Sequence, residues 1–162
     1  MAKKIEMTNA ARLLDRAKIA YQLVPYEVDE NNLAATHVAE QLGEPIERVY
    51  KTLVLRGDRN GHFVCIIQGD KEVDLKAAAK ISGNKSAELI PMKELLPTTG
   101  YIRGGCTPIG MKKQYPTVIH ESAKKYDTII VSGGRIGAQI FLAPDDLIKV
   151  TGGKYEDIIV NK

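Results

Sequence analysis

The chain has 162 residues, of which 44% are hydrophobic and 27% are charged, and its formal net charge is +3. This composition excludes a disordered or fibrous protein, and the length suits one domain, which we place over residues 1–162. The apolar runs are far shorter than the ~20 residues that span a bilayer, and residues 1–7 have no apolar signal core. We therefore expect a cytoplasmic protein with no membrane partner.

The cysteines and histidines form no readable disulfide or metal motif. Cys65 lies in an apolar run and Cys106 in a glycine-rich loop, while His37, His62 and His120 are scattered along the chain. None of the histidines lies at ligand spacing from another histidine or a cysteine. We expect two reduced thiols and an activity that needs neither a metal nor another cofactor.

The N-terminal half is predicted to contain two helices, a strand and a hairpin. Thr8 is a good N-cap for a first helix, whose apolar face follows an i, i+3, i+4, i+7 spacing. A strand follows over residues 19–28, a second helix runs from a Thr36 cap to Gly43, and Pro45 opens a short helical turn. The β-rich runs 49–56 and 62–68 flank five turn-forming residues, which predicts a hairpin.

The C-terminal half is predicted to be richer in strands than in helices. A helix over 74–81, a strand over 87–90, a helical turn over 91–96 and a loop over 98–110 come first. The remaining elements are strands at 117–120, 128–131 and 138–142, a helix at 144–150 and a last strand at 158–160. This pattern favours an α+β domain with a mixed, curved, barrel-like β-sheet and surrounding helices.

Lys51 is the first candidate for chemistry. It lies in a predicted strand, where alternation places it on the same face as Val49, Leu53 and Leu55. Because an unpaired buried ammonium is costly, the side chain must reach the rim, find a partner or point into a cavity that a ligand fills. A lysine that reaches solvent and a lysine that holds a ligand both remain open at this point.

Two glycine-rich segments are the other candidates. In residues 101–110, Gly104 and Gly105 precede Cys106, Thr107 and Pro108, and exposed N–H groups in such a loop can hold a carbonyl oxygen or an oxyanion. The alternatives are an ordinary tight loop or a Cys106 nucleophile, for which no histidine partner is visible.

The second glycine-rich segment, Ser132-Gly133-Gly134 with Arg135, lacks the glycine spacing of a dinucleotide fingerprint. It could instead bind a phosphate or ribose, or form a plain hairpin turn.

Basic residues are concentrated in one region. Residues 100–135 contain six basic and two acidic side chains, a local excess of +4. The excess is that of either a solvated face or a phosphate-facing patch.

Taken together and in this order, these segments resemble the YbaK/EbsC branch of the aminoacyl-tRNA deacylases, a family related to the editing insertion domain of bacterial prolyl-tRNA synthetase. The matching stretches are residues 50–53, 100–113 and 131–134 with 143–147. The resemblance implies a fold of that editing-domain type and hydrolysis of mischarged tRNA, chiefly Cys-tRNA(Pro). The implied partners are the acceptor end of tRNA and, transiently, prolyl-tRNA synthetase.

The resemblance also implies roles for individual residues. Lys51 would hold the aminoacyl or terminal-ribose end, N–H groups around Gly105 and Cys106 would receive the ester carbonyl, and Ser132 with Arg135 would seat the terminal adenosine. The substrate's own thiol would attack the ester, so Lys51 would be a positioner, and a lyase-type cyclisation would be an alternative to hydrolysis. The other expected substrate-binding residues are Tyr26, Thr52, Gly104, Thr107, Pro108 and Gly133.

The preferred amino acid and the catalytic role both have alternatives. Some relatives carry an aromatic residue in the loop after Tyr26, where this chain has residues 31–36 without one. A different pocket wall would make Ala-tRNA(Pro) or another small aminoacyl-tRNA a competing substrate. A non-catalytic RNA- or protein-binding module of the same fold is the runner-up, because fold does not fix function.

Overall fold

The computed structural model describes residues 7–26 and 35–160. The helices in this part of the chain are α1 (Asn9–Arg16), α2 (Ala35–Leu42), α3 (Leu75–Ile81), α4 (Met92–Thr99) and α5 (Pro144–Thr151), with 3-10 turns at Ile46–Arg48 and Glu121–Lys125. None of these helices is long and apolar enough to cross a bilayer.

The strands of the described residues form two sheets. They are β1 (Tyr21–Pro25), β2 (Tyr50–Gly57), β3 (Gly61–Gln68), β4 (Ala87–Leu89), β5 (Thr117–His120), β6 (Ile129–Ser132), β7 (Ala138–Leu142) and β8 (Lys154–Glu156). The first sheet has the order β1-β7-β6 and is antiparallel. The second has the order β4-β2-β3-β5-β8 and is mixed, because β5 pairs in parallel with both β3 and β8. The α+β class with a mixed sheet is therefore confirmed.

The expectation of a barrel-like sheet is wrong. The two sheets meet at one isolated parallel bridge, between Val49 and Ile130, and the described strands carry no further pairing across this junction. A barrel needs a continuous ladder around its circumference. Here the pairing between the two sheets is limited to that bridge, although β2 and β6 remain close neighbours.

Local signals explain the best-predicted elements. The Thr8 hydroxyl accepts the Ala11 N–H at 3.1 Å, as expected of the α1 N-cap, and Asp74 caps α3 in the same way through the Ala77 N–H. The hairpin β2–β3 pairs from Tyr50 opposite Gln68 to Gly57 opposite Gly61.

The largest core cluster packs β2, β3, β6 and β7 against α1 and α5. Its buried members include Leu14, Ile66, Ile119, Ile140 and Leu147. A second cluster lies under the hairpin against α3, with Leu55, Phe63 and Ile67 at its centre. The strands are therefore held on both faces, which makes the β2–β3 hairpin a rigid support for the side chains it carries.

Several predicted boundaries need correction. The last strand is β8, and the predicted strand at 158–160 is reduced to one bridge between Ile159 and Val73. Thr36 lies inside α2 and is not its N-cap. Helix α4 continues past Pro97 to Thr99, where Gly100 ends it with a φ of 88°. The predicted strand 19–28 begins only at Tyr21, because Ile19 still donates its N–H to the Leu14 carbonyl, and residue 28 lies outside the described part.

Candidate functional site

A cleft of about 530 Å³ opens beside the first half of β2. Its walls come from β2, the segment from β4 to α4, the loop after α4, and the facing ends of β6 and β7. Its polar and thiol side chains are Tyr50, Lys51, Thr52, Arg103, Cys106, Ser132 and Gln139. No acidic side chain of the described residues lines it, so the cleft is suited to electron-rich groups of a ligand.

The cleft exists because the edge of β2 is covered at its two ends only. Strand β4 pairs with β2 from Leu55 to Gly57, and the bridge to β6 lies at Val49, just before β2 begins. Between these two points no described strand pairs with this edge of β2. The gap in the sheet therefore becomes the floor of the cleft, with Lys51 and Thr52 within it.

Lys51 lines the cleft and is partly buried. Burial lowers the pKa of its ammonium from the ordinary 10.5, while the nearby charges of Asp70 and Glu72 act to raise it. Neither carboxylate forms an ion pair with Lys51 within 4.0 Å in the described structure. Lys51 thus lines a cavity and is partly desolvated, which favours the ligand-holding alternative over a fully solvated lysine.

The glycine-rich loop reaches the cleft through Gly104 and Cys106. Gly105 lies between them but packs in the opposite direction, and a Cβ atom there would lie 3.0 Å from the Arg135 Cα atom. The Gly105 N–H donates to the Ile102 carbonyl at 3.0 Å. Gly105 therefore fixes the loop against the Arg135 backbone, and its N–H is already used within the turn.

The Cys106 thiol has the character of a core group. The residue is only 9% exposed and belongs to the main hydrophobic cluster. Burial raises the pKa of the thiol to about 11, although a hydrogen bond with Thr99 acts to lower it. Since the thiolate is the nucleophile, this thiol is poorly suited to attack. Cys106 can serve the cleft through its main chain.

The next two residues of the loop do not line the cleft. Thr107 is fully buried, and its hydroxyl has no hydrogen-bond partner within the described structure. Pro108 borders a separate, smaller cavity of about 190 Å³ near the end of α5. Both residues support the loop rather than contact the space beside Lys51.

The segment after β6 contributes Ser132 to the cleft. The Ser132 hydroxyl accepts the Gly134 N–H at 3.3 Å, and the Gly133 N–H donates to the Ala138 carbonyl at 2.8 Å. Gly133 is needed for close packing, because a Cβ atom there would lie 3.0 Å from that carbonyl oxygen. Neither Gly133 nor Arg135 lines the cleft, although the backbone of Arg135 supports Gly105.

Tyr26 also lies away from the described lining. Its N–H donates to the Gly137 carbonyl at 3.0 Å, which places it at the end of β1 beside the turn before β7. The structure therefore brings Lys51, Thr52, Gly104, Cys106 and Ser132 together, and places the other predicted site residues behind or beside them.

Sequence reasoning missed Gln139. This residue is 5% exposed on β7, opposite Ser132 in the sheet, and lines the cleft. Its carboxamide forms no hydrogen bond within residues 7–26 and 35–160, and it is not among the fully buried side-chain groups that lack a partner. The carboxamide therefore reaches the open space of the cleft and is available to a ligand. The signal in the sequence is a single glutamine within the otherwise apolar strand Ala138–Leu142.

A second arrangement of catalytic residue types lies outside the cleft. His120 contacts the Ser122 hydroxyl at 2.8 Å through Nδ1 and the Asp157 carboxylate at 3.2 Å through Nε2. Ser122 also contacts the Tyr50 hydroxyl at 2.7 Å. Because Nδ1 accepts the Ser122 N–H, the proton is placed on Nε2 and is donated to Asp157. This network joins β5, β2 and the segment after β8, and His120, Ser122 and Asp157 are not among the lining residues of the cleft.

Comparisons with known proteins agree on the kind of protein. The family model described as an aminoacyl-tRNA editing domain matches residues 29–150. A protein of Enterococcus faecalis, whose name describes it as a candidate Cys-tRNA(Pro)/Cys-tRNA(Cys) deacylase, EbsC, is 48% identical over 160 residues, with 98% of each chain covered. A proline–tRNA ligase of Cupriavidus necator is 32% identical over 121 residues, which are 72% of this chain and 21% of the ligase.

Solved structures show the same fold. A candidate trans-editing enzyme for prolyl-tRNA synthetase superposes with a TM-score of 0.81 at 21% identity, covering 96% of this chain and 100% of that one. A protein of unassigned function, APE2540, superposes with a TM-score of 0.84 at 21% identity, covering 92% and 97%. At this identity the likeness concerns the fold alone.

Proposed function

Because this chain belongs to the aminoacyl-tRNA editing domain family, we propose that it is a free-standing deacylase that releases amino acids from mischarged tRNA, with Cys-tRNA(Pro) as its main substrate. The observation that carries the proposal is that Lys51 lines a cleft together with Gly104 and Cys106, and that no carboxylate is among its described lining residues. A relative of nearly equal length, 48% identical, has a name that describes this activity.

The chemistry needs positioning more than a strong nucleophile. An aminoacyl ester is already activated, and stabilising the oxyanion that forms during attack supplies a large part of the acceleration. The main-chain donors that the loop offers to the ester carbonyl are the Gly104 and Cys106 N–H groups, since the Gly105 N–H is bonded to Ile102. Lys51 adds a positive charge beside the same carbonyl or the terminal ribose.

The attacking group comes from the substrate. The thiol sulfur of the cysteinyl group attacks its own ester carbonyl, the bond from that carbon to the ribose oxygen breaks, and the thiol proton ends on the ribose hydroxyl. Release is completed when water opens the cyclic thioester. This route explains how a cleft with a protonated, buried Cys106 and no carboxylate in its described lining can release cysteine.

The remaining site residues have supporting roles. Ser132 and Gln139 contact the ribose or the aminoacyl group, Thr52 contributes to the floor, and Gly105, Gly133, Thr107 and Pro108 hold the two glycine-rich segments in place. In this proposal Arg135 acts with Ser132 on the terminal adenosine and Tyr26 adds to the pocket wall, although neither Arg135 nor Tyr26 is among the described lining residues. The basic residues of segment 100–135 attract the tRNA backbone, and prolyl-tRNA synthetase is a transient partner. The proposed place of action is the cytoplasm, where tRNA is charged.

A deacylation panel tests the proposal. Purified protein is added to Cys-tRNA(Pro), Ala-tRNA(Pro) and Cys-tRNA(Cys), and ester loss is compared with the spontaneous rate. We expect the largest acceleration with Cys-tRNA(Pro) and a loss of at least about tenfold for Lys51→Ala. Lys76→Ala, which removes an exposed lysine of α3 away from the cleft, is the matched control. No acceleration on any member of the panel would refute the enzyme, and Lys51→Ala within about twofold of the parent would refute the role of Lys51.

A further inference from the structure

We infer that the exposed main-chain edge of β2 at Thr52 is an amino-acid binding site, which pairs with the α-amino group and the carbonyl of the aminoacyl ester as if they were one residue of a neighbouring strand. The inference rests on the proposed function and specifies which groups of the substrate are recognised, namely the α-amino group and the ester carbonyl.

The direction of the Thr52 main chain follows from hydrogen bonds on either side of it. The Val49 carbonyl accepts the Gly69 N–H from the β3 side, whereas the Val54 carbonyl accepts the Ile90 N–H from the opposite side. Because main-chain groups in a strand alternate between its two edges, Thr52 turns its N–H and C=O to the same edge as Val54. The hydrogen bonds of β3 support this direction. Thr52 pairs with Ile66 in the hairpin, and Val64, two residues before Ile66, turns its main-chain groups the same way as Ile66. The Val64 N–H points away from β2 and donates to the Pro116 carbonyl.

No strand of the described residues covers that edge at Thr52. Continuing the β2–β4 register beyond Ile90 would place Met92 opposite Thr52, but the chain turns at Pro91 and Met92 begins helix α4. In the other direction along β2, parallel pairing with β6 is limited to the isolated bridge between Val49 and Ile130, although the two strands remain close neighbours. The Thr52 N–H and C=O therefore face the cleft, and Thr52 is among its lining residues.

The polarity of an aminoacyl ester matches this edge. It has the same N–Cα–C=O arrangement as a peptide residue, with a donor in the amine and an acceptor in the carbonyl. In an antiparallel pair two residues exchange both N–H···O=C bonds. The Thr52 carbonyl accepts from the α-amino group, and the Thr52 N–H donates to the ester carbonyl.

This pairing also completes the oxyanion site. A carbonyl oxygen accepts two hydrogen bonds, and the Gly105 N–H is already bonded to Ile102, which leaves the Gly104 and Cys106 N–H groups as the donors of the loop within the described structure. Thr52 supplies a further donor from β2. In the absence of a carboxylate among the described lining residues, main-chain and amide oxygens are the acceptors left for the amine.

The test compares two substrates that differ in the amine alone. tRNA charged with cysteine and tRNA charged with 3-mercaptopropionate carry the same thiol at the same distance from the ester, and each rate is divided by its own spontaneous rate. We expect the acceleration to fall at least about tenfold without the amine, as for loss of a buried hydrogen bond near the reacting atoms. Equal acceleration of both substrates would overturn the inference and leave the proposed deacylase intact.

A binding measurement on the whole protein separates the two ideas. The Thr52 amide resonance is followed by NMR while 3′-deoxy-3′-(cysteinylamino)adenosine, which is not hydrolysed, or its 3-mercaptopropionyl counterpart is added. We expect a saturable shift and slower hydrogen exchange at Thr52, with weaker binding of the counterpart. A Thr52 amide that does not respond to the bound cysteinyl compound would overturn the inference. If the protein accelerates deacylation of no substrate but its Thr52 amide resonance still shifts with the bound cysteinyl compound, the proposed function would be overturned instead.

Discussion

Gly105→Ala tests whether the contact between the two glycine-rich segments sets the geometry of the cleft. The added Cβ would lie 3.0 Å from the Arg135 Cα atom and 3.1 Å from its carbonyl carbon, whereas ordinary contacts begin at 3.4 Å. Because both neighbours are main-chain atoms, the loops must separate by about 0.4 Å or more. Such overpacking costs about 1–3 kcal/mol of unfolding free energy.

The same shift should reduce activity, because Cys106 follows Gly105 directly and lines the cleft. Displacements of reacting groups by about 1 Å can cost about 100-fold, so we expect kcat/KM on Cys-tRNA(Pro) to fall about tenfold for a shift of this size. Urea unfolding and single-turnover deacylation measure the two effects. Gly61→Ala, in the hairpin turn with a φ of 74° and open space around it, is the control, since its strain lowers stability without touching the cleft.

Two outcomes would refute this reasoning. If Gly105→Ala retains parental stability and parental kcat/KM, the close approach of the loop to Arg135 is not a constraint in solution. If Gly61→Ala and Gly105→Ala lose activity equally at equal stability, the activity follows global stability and the position of the loop has no separate effect.

Three further predictions concern Gln139, Lys51 and the thiols. Gln139→Met, which keeps the volume and removes the unpartnered amide, should lower kcat/KM about tenfold without lowering the urea midpoint; a lower midpoint at full activity would contradict a ligand-binding role. Because burial lowers the pKa of Lys51 below 10.5, catalysed deacylation should decline as pH rises through that lowered pKa. Lys51→Arg should move the decline to higher pH, and superimposable profiles, after subtraction of spontaneous hydrolysis, would exclude Lys51 as the titrating group. Iodoacetamide should label Cys65 and Cys106 slowly in the native protein and rapidly in urea, since burial raises their pKa values to about 12 and about 11; rapid native labelling by mass spectrometry would count against this burial.

Local sequence signals predicted the fold well wherever the structure is locally determined. Thr8, Asp74 and the turn between β2 and β3 act within a few residues, so helix α1, helix α3 and the hairpin follow from them. The placement of Lys51 could be narrowed to two alternatives, because strand alternation is also local. The choice between them depends on whether a strand covers the neighbouring edge of β2, and that depends on residues about 40–80 positions away along the chain.

Gln139 was not predicted as a site residue for a related reason. Strand β7 is the middle strand of its sheet, between β1 and β6, and Ala138, Gln139 and Ile140 are all buried. A middle strand covered on both faces has no polar and apolar alternation from which to assign a face. The same limit applies to Gly105, whose sequence context indicates a loop that approaches a ligand, whereas the structure shows that its closest neighbour is the backbone of Arg135.

The charge distribution of the cleft links its shape to its chemistry. Lys51 is partly buried, its pKa is lowered by that burial, and Asp70 and Glu72, which favour its charged form, are not among the lining residues. The described lining residues therefore place no negative charge beside Lys51. A ligand group that carries or develops negative charge is stabilised in the cleft by the Lys51 ammonium. An ester carbonyl becomes such a group only when it is attacked. A cation in this environment thus favours the transition state over the neutral ester, which is the condition under which binding energy increases the rate.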